Sequence, residues 1–378
     1  MSAPEPRRVL IANIAMTTAS GTVTYTRDLA LALLRHGWTP IVYTSVLGEQ
    51  AEVLRRATIP VVSDPAQLGA PPDIIHGHHV LETLAAMARF PNVPALFVCH
   101  DSLSWHSIPP RMPRIRAYVA VDRNCRDRMV LEHGIPEDSV RVLTNPVDLQ
   151  RFARRAPLPP KPRRALVFNN DAFQYSLVAP IRAACAERDI EVDVIGLASG
   201  NAVDHPEEVL ERYDLVFGRA RCAIEAAAMG AAVIGCDARG MSGMLTTTRL
   251  EELRLLNFGV RTLQLPLTRE NLLREIDRYD PADASTVADR IRASNSADLI
   301  AEQFISLYDE ILADPVRVAP EDDLAGISAT LSKVGHHLYG QTEVTHPRSA
   351  LLSKLLDSRI LAGPLHRVYR WKKRLQSR

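Results

Sequence analysis

The chain has no apolar run near the roughly 18 residues that a membrane-spanning helix needs. Its first residues, MSAPEPRRVLIANIA, lack the long apolar stretch of a secretory leader. A cytoplasmic protein is expected. There is no CxxC pair and no tight Cys/His spacing, which argues against a zinc ribbon or a redox motif. The five cysteines, Cys99, Cys125, Cys185, Cys222 and Cys236, are odd in number, and two lie inside apolar runs, so all five read as reduced core thiols. Net charge is only +1, which is not the balance of a nucleic-acid binder. No long internal repeat is present beyond two halves that each alternate strands and helices.

What is there is enough for two cores. At 378 residues, 46% hydrophobic and 24% charged, the composition is that of a globular protein whose length suggests two domains. In the first half, RVLIANI reads as a buried strand and GTVTYTRDLALALLRHG as a helix, with Leu29, Leu33 and Leu34 on one face and Gly37 as its stop. TPIVYTS, IPVVS, DIIHGHH, ALFVCHD, AYVAVD and VRVL follow as strands, with helices between most of them. The segment FARRAPLPPKPRR, with four prolines and five bases, differs from both sides and reads as a linker. Alternation then restarts at ALVFNN, VDVIGL, DLVFG and AAVIGCD. This order predicts two doubly wound α/β domains of Rossmann-like type facing each other across a cleft. The boundaries expected are 1–148, a linker over 149–164, 165–314, and a helical basic tail over 315–378.

The tail carries the one strong charge asymmetry. Residues 347–378 hold nine bases and one acid, a net +8 that leaves −7 for the rest. APEDDLAGISA reads as turn-like. SALLSKLLDSRILAG and LHRVYRWKKRLQ read as two basic amphipathic helices. The tail is therefore expected either to dock at an anionic membrane surface, making the protein peripheral at the inner face, or to pack back on the first domain.

Four short stretches carry chemistry. In MTTASGTVTY a Gly/Ser/Thr turn precedes a helix; free N–H groups at a helix start bind anions, and Gly21 lets one approach the backbone. Ordinary capping by Ser20 or Thr22 is the plainer alternative. In FVCHD, His100 and Asp101 end an apolar strand, where sites form in such sheets. HGHH, residues 76–79, offers imidazoles but no carboxylate or cysteine partner at a metal-binding spacing, so no metal is expected. In DLVFGRARCAIEAAAMGAAVIGCD, a helix of small residues carries a single acid, Glu225. A buried acid is costly unless paired. Gly218 and Ala226 to Ala228 would let this helix pack close to a ligand.

SGTVTYTRDLALALLRHGWTPIVYTS, PDIIHGHH, VCHD, VRVLTNPVDLQRF and the Glu225 stretch, in this order over residues 8 to 237, resemble retaining glycosyltransferases of family 4, which have the GT-B fold. The resemblance implies metal-independent transfer of a sugar from a nucleotide-sugar to a sugar or lipid-linked hydroxyl acceptor, in surface-glycan or glycoconjugate synthesis. No separate cofactor is implied. It places Gly21 and Thr22 beside the donor diphosphate, His100 and Asp101 at the reacting sugar, and Glu225 on the ribose hydroxyls. No Asp-x-Asp occurs, so the metal-dependent glycosyltransferase fold is not expected. Two departures stand out. The family's first glutamate, eight residues before Glu225, is Phe217 here. The Arg and Lys that follow the first strand of the second domain are replaced by Asn169, Asn170, Asp171 and Gln174, so Arg219 or Arg221 would have to neutralise the diphosphate. These departures keep two alternatives open: a degenerate binding or scaffold subunit, and a nucleotide-sugar epimerase on the same fold.

Overall fold

Short apolar segments alternating with helices build two open sheets. A computed structural model describes residues 6–18, 20–170, 177–196, 199–203, 205–314 and 317–356, with 340–356 as backbone only. The first sheet contains β1 (Arg8–Met16), β2 (Thr39–Leu47), β3 (Val61–Val62), β4 (Ile74–Gly77), β5 (Ala95–Cys99), β6 (Ile115–Ala120) and β7 (Val140–Val142), in the spatial order β3-β2-β1-β4-β5-β6-β7. Every pairing in it is parallel. Its crossovers carry α1 (Gly21–Arg35), α2 (Glu49–Arg56), α3 (Val80–Arg89) and α4 (Arg123–Asp127). Helices on both faces explain why strands such as β1 read as unbroken apolar runs: Val9, Leu10, Ile11 and Ala12 are all fully buried.

The second sheet contains β8 (Arg164–Phe168), β9 (Glu191–Ile195), β10 (Leu215–Gly218), β11 (Ala232–Asp237) and β12 (Gly240–Met244), in the order β12-β11-β10-β8-β9. Around it lie α5 (Ala179–Ala186), α6 (Pro206–Leu210), α7 (Ala220–Met229), α8 (Leu250–Leu255), α9 (Arg269–Ile276) and α10 (Pro281–Asn295). The strands are parallel except β12, which returns antiparallel to β11. β12 has the sequence GMSGM and no β-branched residue, so nothing local marks it as a strand. Its edge position is set by pairing with β11.

The chain crosses between the sheets twice, at neighbouring points. Going out, Val147 N–H donates to Asn295 O at 2.7 Å; coming back, Ala297 N–H donates to Val147 O at 2.9 Å. The buried Asn295 amide donates to Thr144 Oγ1 and to the Asn145 carbonyl, fixing this double crossing. After it, α11 (Ala297–Ala313) returns to the first sheet. Its Ile300, Phe304, Leu307 and Tyr308 are buried in the first core, beside α1, although its sequence follows directly on the second unit.

α12 (Pro320–Leu356) is continuous from Pro320, so the stretch expected to be turn-like is helical. Proline in the first turn and acids at Glu321, Asp322 and Asp323 are as typical of a helix start as of a turn. The start of α12 also packs on the first unit. Asp323 pairs with the buried Arg114, whose other donors hold the Met87, Phe90 and Val93 carbonyls. Val334 joins the first core. The second amphipathic segment of the tail lies outside the described residues. Among the described residues, no helix is long and apolar enough to cross a membrane.

Candidate active site

Turns at the carboxyl ends of parallel strands from both sheets meet at one pocket enclosing about 110 Å³. The turn after β1 brings Ser20, Gly21, Thr24 and Arg27; the segment after β7 brings Arg151 and Phe152. From the second sheet come Phe168 and Asn170 at the end of β8, and Arg221, Cys222 and Glu225 on α7. Two of the expected residues of the first half meet here differently. Gly21 opens α1 and lines the pocket, with nothing within 4 Å of the place a Cβ would occupy. Thr22 sits beside it on the helix and does not line the pocket. Ser20 occupies the N-cap without a side-chain bond, so the first N–H groups of α1 carry no such cap.

Glu225 is buried, so a plain exposed helix carboxylate is excluded. Arg221, one turn earlier, donates from Nε to Glu225 Oε1 at 3.0 Å and from Nη2 to Asp28 Oδ2 at 2.7 Å. Asp28 lies on α1, so this chain of charges joins α1 of the first unit to α7 of the second beside the pocket. Asp28 Oδ1 also takes Arg27, at 3.0 Å from Nε and 2.8 Å from Nη2. Arg151 extends this network, 3.9 Å from Asp28 Oδ1 and bonded to Glu207 at 3.1 and 2.7 Å. Burial pushes the Glu225 carboxyl above its ordinary range, opposed by Arg221. Burial works against the Arg221 cation, but Glu225 and Asp28 outweigh it and raise its pKa.

Asp28, Arg27 and Arg151 were not singled out from the sequence. The available signal was an adjacent Arg-Asp pair inside the apolar helix GTVTYTRDLALALL. Three arginines thus stand where the segment after β8 offers no base. Of the two expected substitutes, Arg221 lines the pocket, whereas Arg219 pairs with Asp237 on β11 at 2.9 Å. Gly218 ends β10 where a Cβ would come within 2.8 Å of the Phe168 carbonyl, so glycine there serves close strand packing. Ala220 opens α7 at φ 48°, a left-handed conformation that costs an ordinary residue about 1–2 kcal/mol, with its N–H held by the Phe258 carbonyl. Phe217 is fully buried in the second core, so no carboxylate faces the pocket from that position. Cys222, expected in a core, lines the pocket instead; the other four thiols are buried.

His100 follows β5 and is part-buried. Tyr25 of α1 meets it edge-on at 4.7 Å between ring centroids. Burial, then the nearby His106 and Arg221, push its pKa down to about 3, so the imidazole is neutral at pH 7. Asp101 turns toward its own loop: Oδ1 accepts the N–H groups of Leu103 and Ser104 at 2.5 and 2.7 Å. Burial works against its charge, but these backbone donors prevail and lower its pKa. Asp101 therefore shapes the loop after β5, and neither it nor His100 lines the pocket around Arg221. His76, His78 and His79 are all buried. Among the described residues, no group of three or more His, Cys, Asp or Glu side chains is placed to hold a metal ion.

Two parallel-cored α/β units with a pocket at their facing strand ends define the GT-B fold of glycosyltransferases. The N-terminal part of the chain, residues 19–151, matches the family described as Glycosyltransferase Family 4. No curated protein matches the chain in sequence. Solved structures resemble it in fold. A glycosyltransferase from Rickettsia africae ESF-5 has a TM-score of 0.58 at 16% identity, over 82% of this chain and 99% of that one. HepE of Anabaena, in complex with UDP and glucose, has a TM-score of 0.56 at 14% identity, over 80% and 100%. The lipopolysaccharide outer core galactosyltransferase WaaB, in its apo form, has a TM-score of 0.50 at 12% identity, over 80% and 99%.

Proposed function

We propose that the chain transfers a glycosyl group from a nucleotide-sugar to a hydroxyl acceptor, with retention of anomeric configuration and without a metal. The observation that carries this reading is the Asp28–Arg221–Glu225 chain between the two units, with Arg27, Arg151 and the uncapped start of α1 at Ser20 and Gly21 lining the same pocket as Arg221 and Glu225. A leaving diphosphate needs positive charge placed before the reaction. The arginines of this pocket and the first N–H groups of α1, around Gly21 and Thr22, supply it where other members of the fold use a base after β8. Glu225 faces the ribose, whose vicinal hydroxyls suit a carboxylate with two acceptor oxygens. His100 reaches the donor sugar, and the acceptor enters from the first unit. The complex of HepE with UDP and glucose supports a uridine nucleotide as the first donor to test. We further propose that the basic residues of 347–378 hold the protein at an anionic membrane surface, which would suit a lipid-linked acceptor in surface-glycan synthesis.

The test is calorimetric titration with UDP, GDP and dTDP, followed by product analysis with the sugar form of whichever binds. Binding and acceptor-dependent product formation support transfer. Failure of all three nucleotides to bind overturns the reading. Binding without turnover assigns a scaffold, and sugar interconversion without an acceptor assigns an epimerase.

A further inference from the structure

The histidines near the site form a connected column. His76 on β4 contacts Tyr308 of α11 through Nδ1. The His76 and His78 rings are near-parallel with centroids 4.7 Å apart. His78 Nδ1 is in hydrogen-bond contact with His100 Nε2, and these two rings differ by only 22° with centroids 4.7 Å apart. A nitrogen–nitrogen contact at that centroid separation puts the rings edge to edge in nearly one plane, where an in-plane N–H can point at the facing lone pair. Tyr25 closes over both rings edge-on.

A neutral imidazole carries one N–H, so only one of the two rings can donate. The choice is fixed at the far side of His78. Its Nε2 is buried and has no partner in the protein. A proton there would leave a buried N–H orphaned, the rarest kind of unsatisfied group. The proton therefore sits on His78 Nδ1 and is donated to His100 Nε2. His79 shows the opposite arrangement: its Nδ1 accepts the Ile14 N–H at 3.1 Å, which places its own proton on Nε2.

We propose that His78 is a positioning residue that holds His100 in the Nδ1–H form, so that His100 meets the donor sugar as a neutral hydrogen-bond donor and not as a base. The assignment of His100 to a sugar oxygen rests on the proposed transferase reading; the tautomer does not. An Nδ1–H donor matches a hydroxyl oxygen of the donor sugar, which it orients while the electron pair of the breaking glycosidic bond goes to the leaving diphosphate.

The experiment is long-range ¹H–¹⁵N correlation on the full-length protein labelled in histidine nitrogens, with His100 assigned by its loss in His100→Asn. Wild type should show His100 protonated at Nδ1 and bare at Nε2. In His78→Phe the His100 ring should lose this preference, and transfer turnover should fall about tenfold or more with donor KM changed less than about twofold. His78→Asn, whose amide N–H falls near the position of Nδ1, should restore the tautomer and most of the turnover. A wild-type His100 protonated at Nε2, or a tautomer unchanged in His78→Phe, overturns the proposal. Should His78→Phe not fold, the wild-type spectrum alone decides. If the spectrum is as expected and the wild type transfers no sugar, the transferase reading fails and the tautomer assignment stands.

Discussion

Acid should unfold this protein through its buried histidines, and the slope can be worked out. His76, His78 and His79 are 0%, 0% and 1% exposed. Burial pushes His76 down to about 3 and His79 to about 2, with smaller contributions from neighbouring histidines, and His78 goes well below its ordinary value for the same reasons. These are bases whose pKa is depressed in the folded state. The unfolded chain takes up a proton on each as pH falls through 6.5, whereas the folded chain does not until pH approaches 3. Stability is therefore full above the unfolded value and is lost on acidification from there downward. Each histidine costs about 1.3 kcal/mol between pH 7 and 5.5, so these three cost about 4 kcal/mol, and His100, held at about 3, with His133, at about 4, brings the loss to about 6 kcal/mol, a large part of the 5–15 kcal/mol typical of a domain. Carboxylates of ordinary pKa stay ionised over most of that window, while Glu225 and Asp122, raised by burial, work in the opposite sense to the histidines. The assay is urea unfolding at half-unit steps from pH 7 to 5.5, followed by fluorescence of Trp38 and Trp105 in the first unit. Replacing His78 by Phe should reduce the loss by about 1.3 kcal/mol. Stability that is flat across this range, or a variant with the full wild-type slope, would refute the reasoning.

Glu225→Ala should weaken nucleotide binding by about 2–4 kcal/mol while the chain still folds, because Arg221 keeps Asp28 as a partner; calorimetry showing unchanged affinity would reject the ribose role. His100→Ala should lower turnover on the order of 10²-fold, measured under saturating donor, and full turnover would remove His100 from the chemical step. Arg221→Gln should raise the dissociation constant of UDP about tenfold or more and leave that of uridine nearly unchanged, whereas Arg219→Gln, paired with Asp237 outside the pocket, should do neither; equal effects on both ligands would reject Arg221 as the diphosphate cation. Deleting residues 347–378 should abolish sedimentation with anionic vesicles and leave the melting midpoint within a few degrees, since the start of α12 is anchored upstream through Asp323 and Arg114. A much earlier melt would assign the tail to packing instead.

Local pattern determined most of the architecture. Apolar runs such as RVLIANI and ALFVC become β1 and β5 because a parallel sheet covered on both faces favours apolar side chains along its strands, with few buried polar residues such as Asn13 and His76 among them. The position of His100 after such a run, and a carboxylate alone on a small-residue helix, were both visible in the chain. Three things were not. β12 is a strand because β11 offers it an edge, and its own glycines and methionines carry no strand signal. α11 follows the second unit in sequence, and its amphipathic face fits either core; only the double crossing at Val147 and Asn295 returns it to the first. The pocket's charge was the third. Sequence order could show that the bases after β8 are missing, but not that Arg27, Arg151 and Asp28, up to nearly two hundred residues from Arg221, meet it across the two sheets. Periodicity is written in neighbours along the chain, and a side chain's partners across a cleft are fixed only when two separately folded sheets face each other.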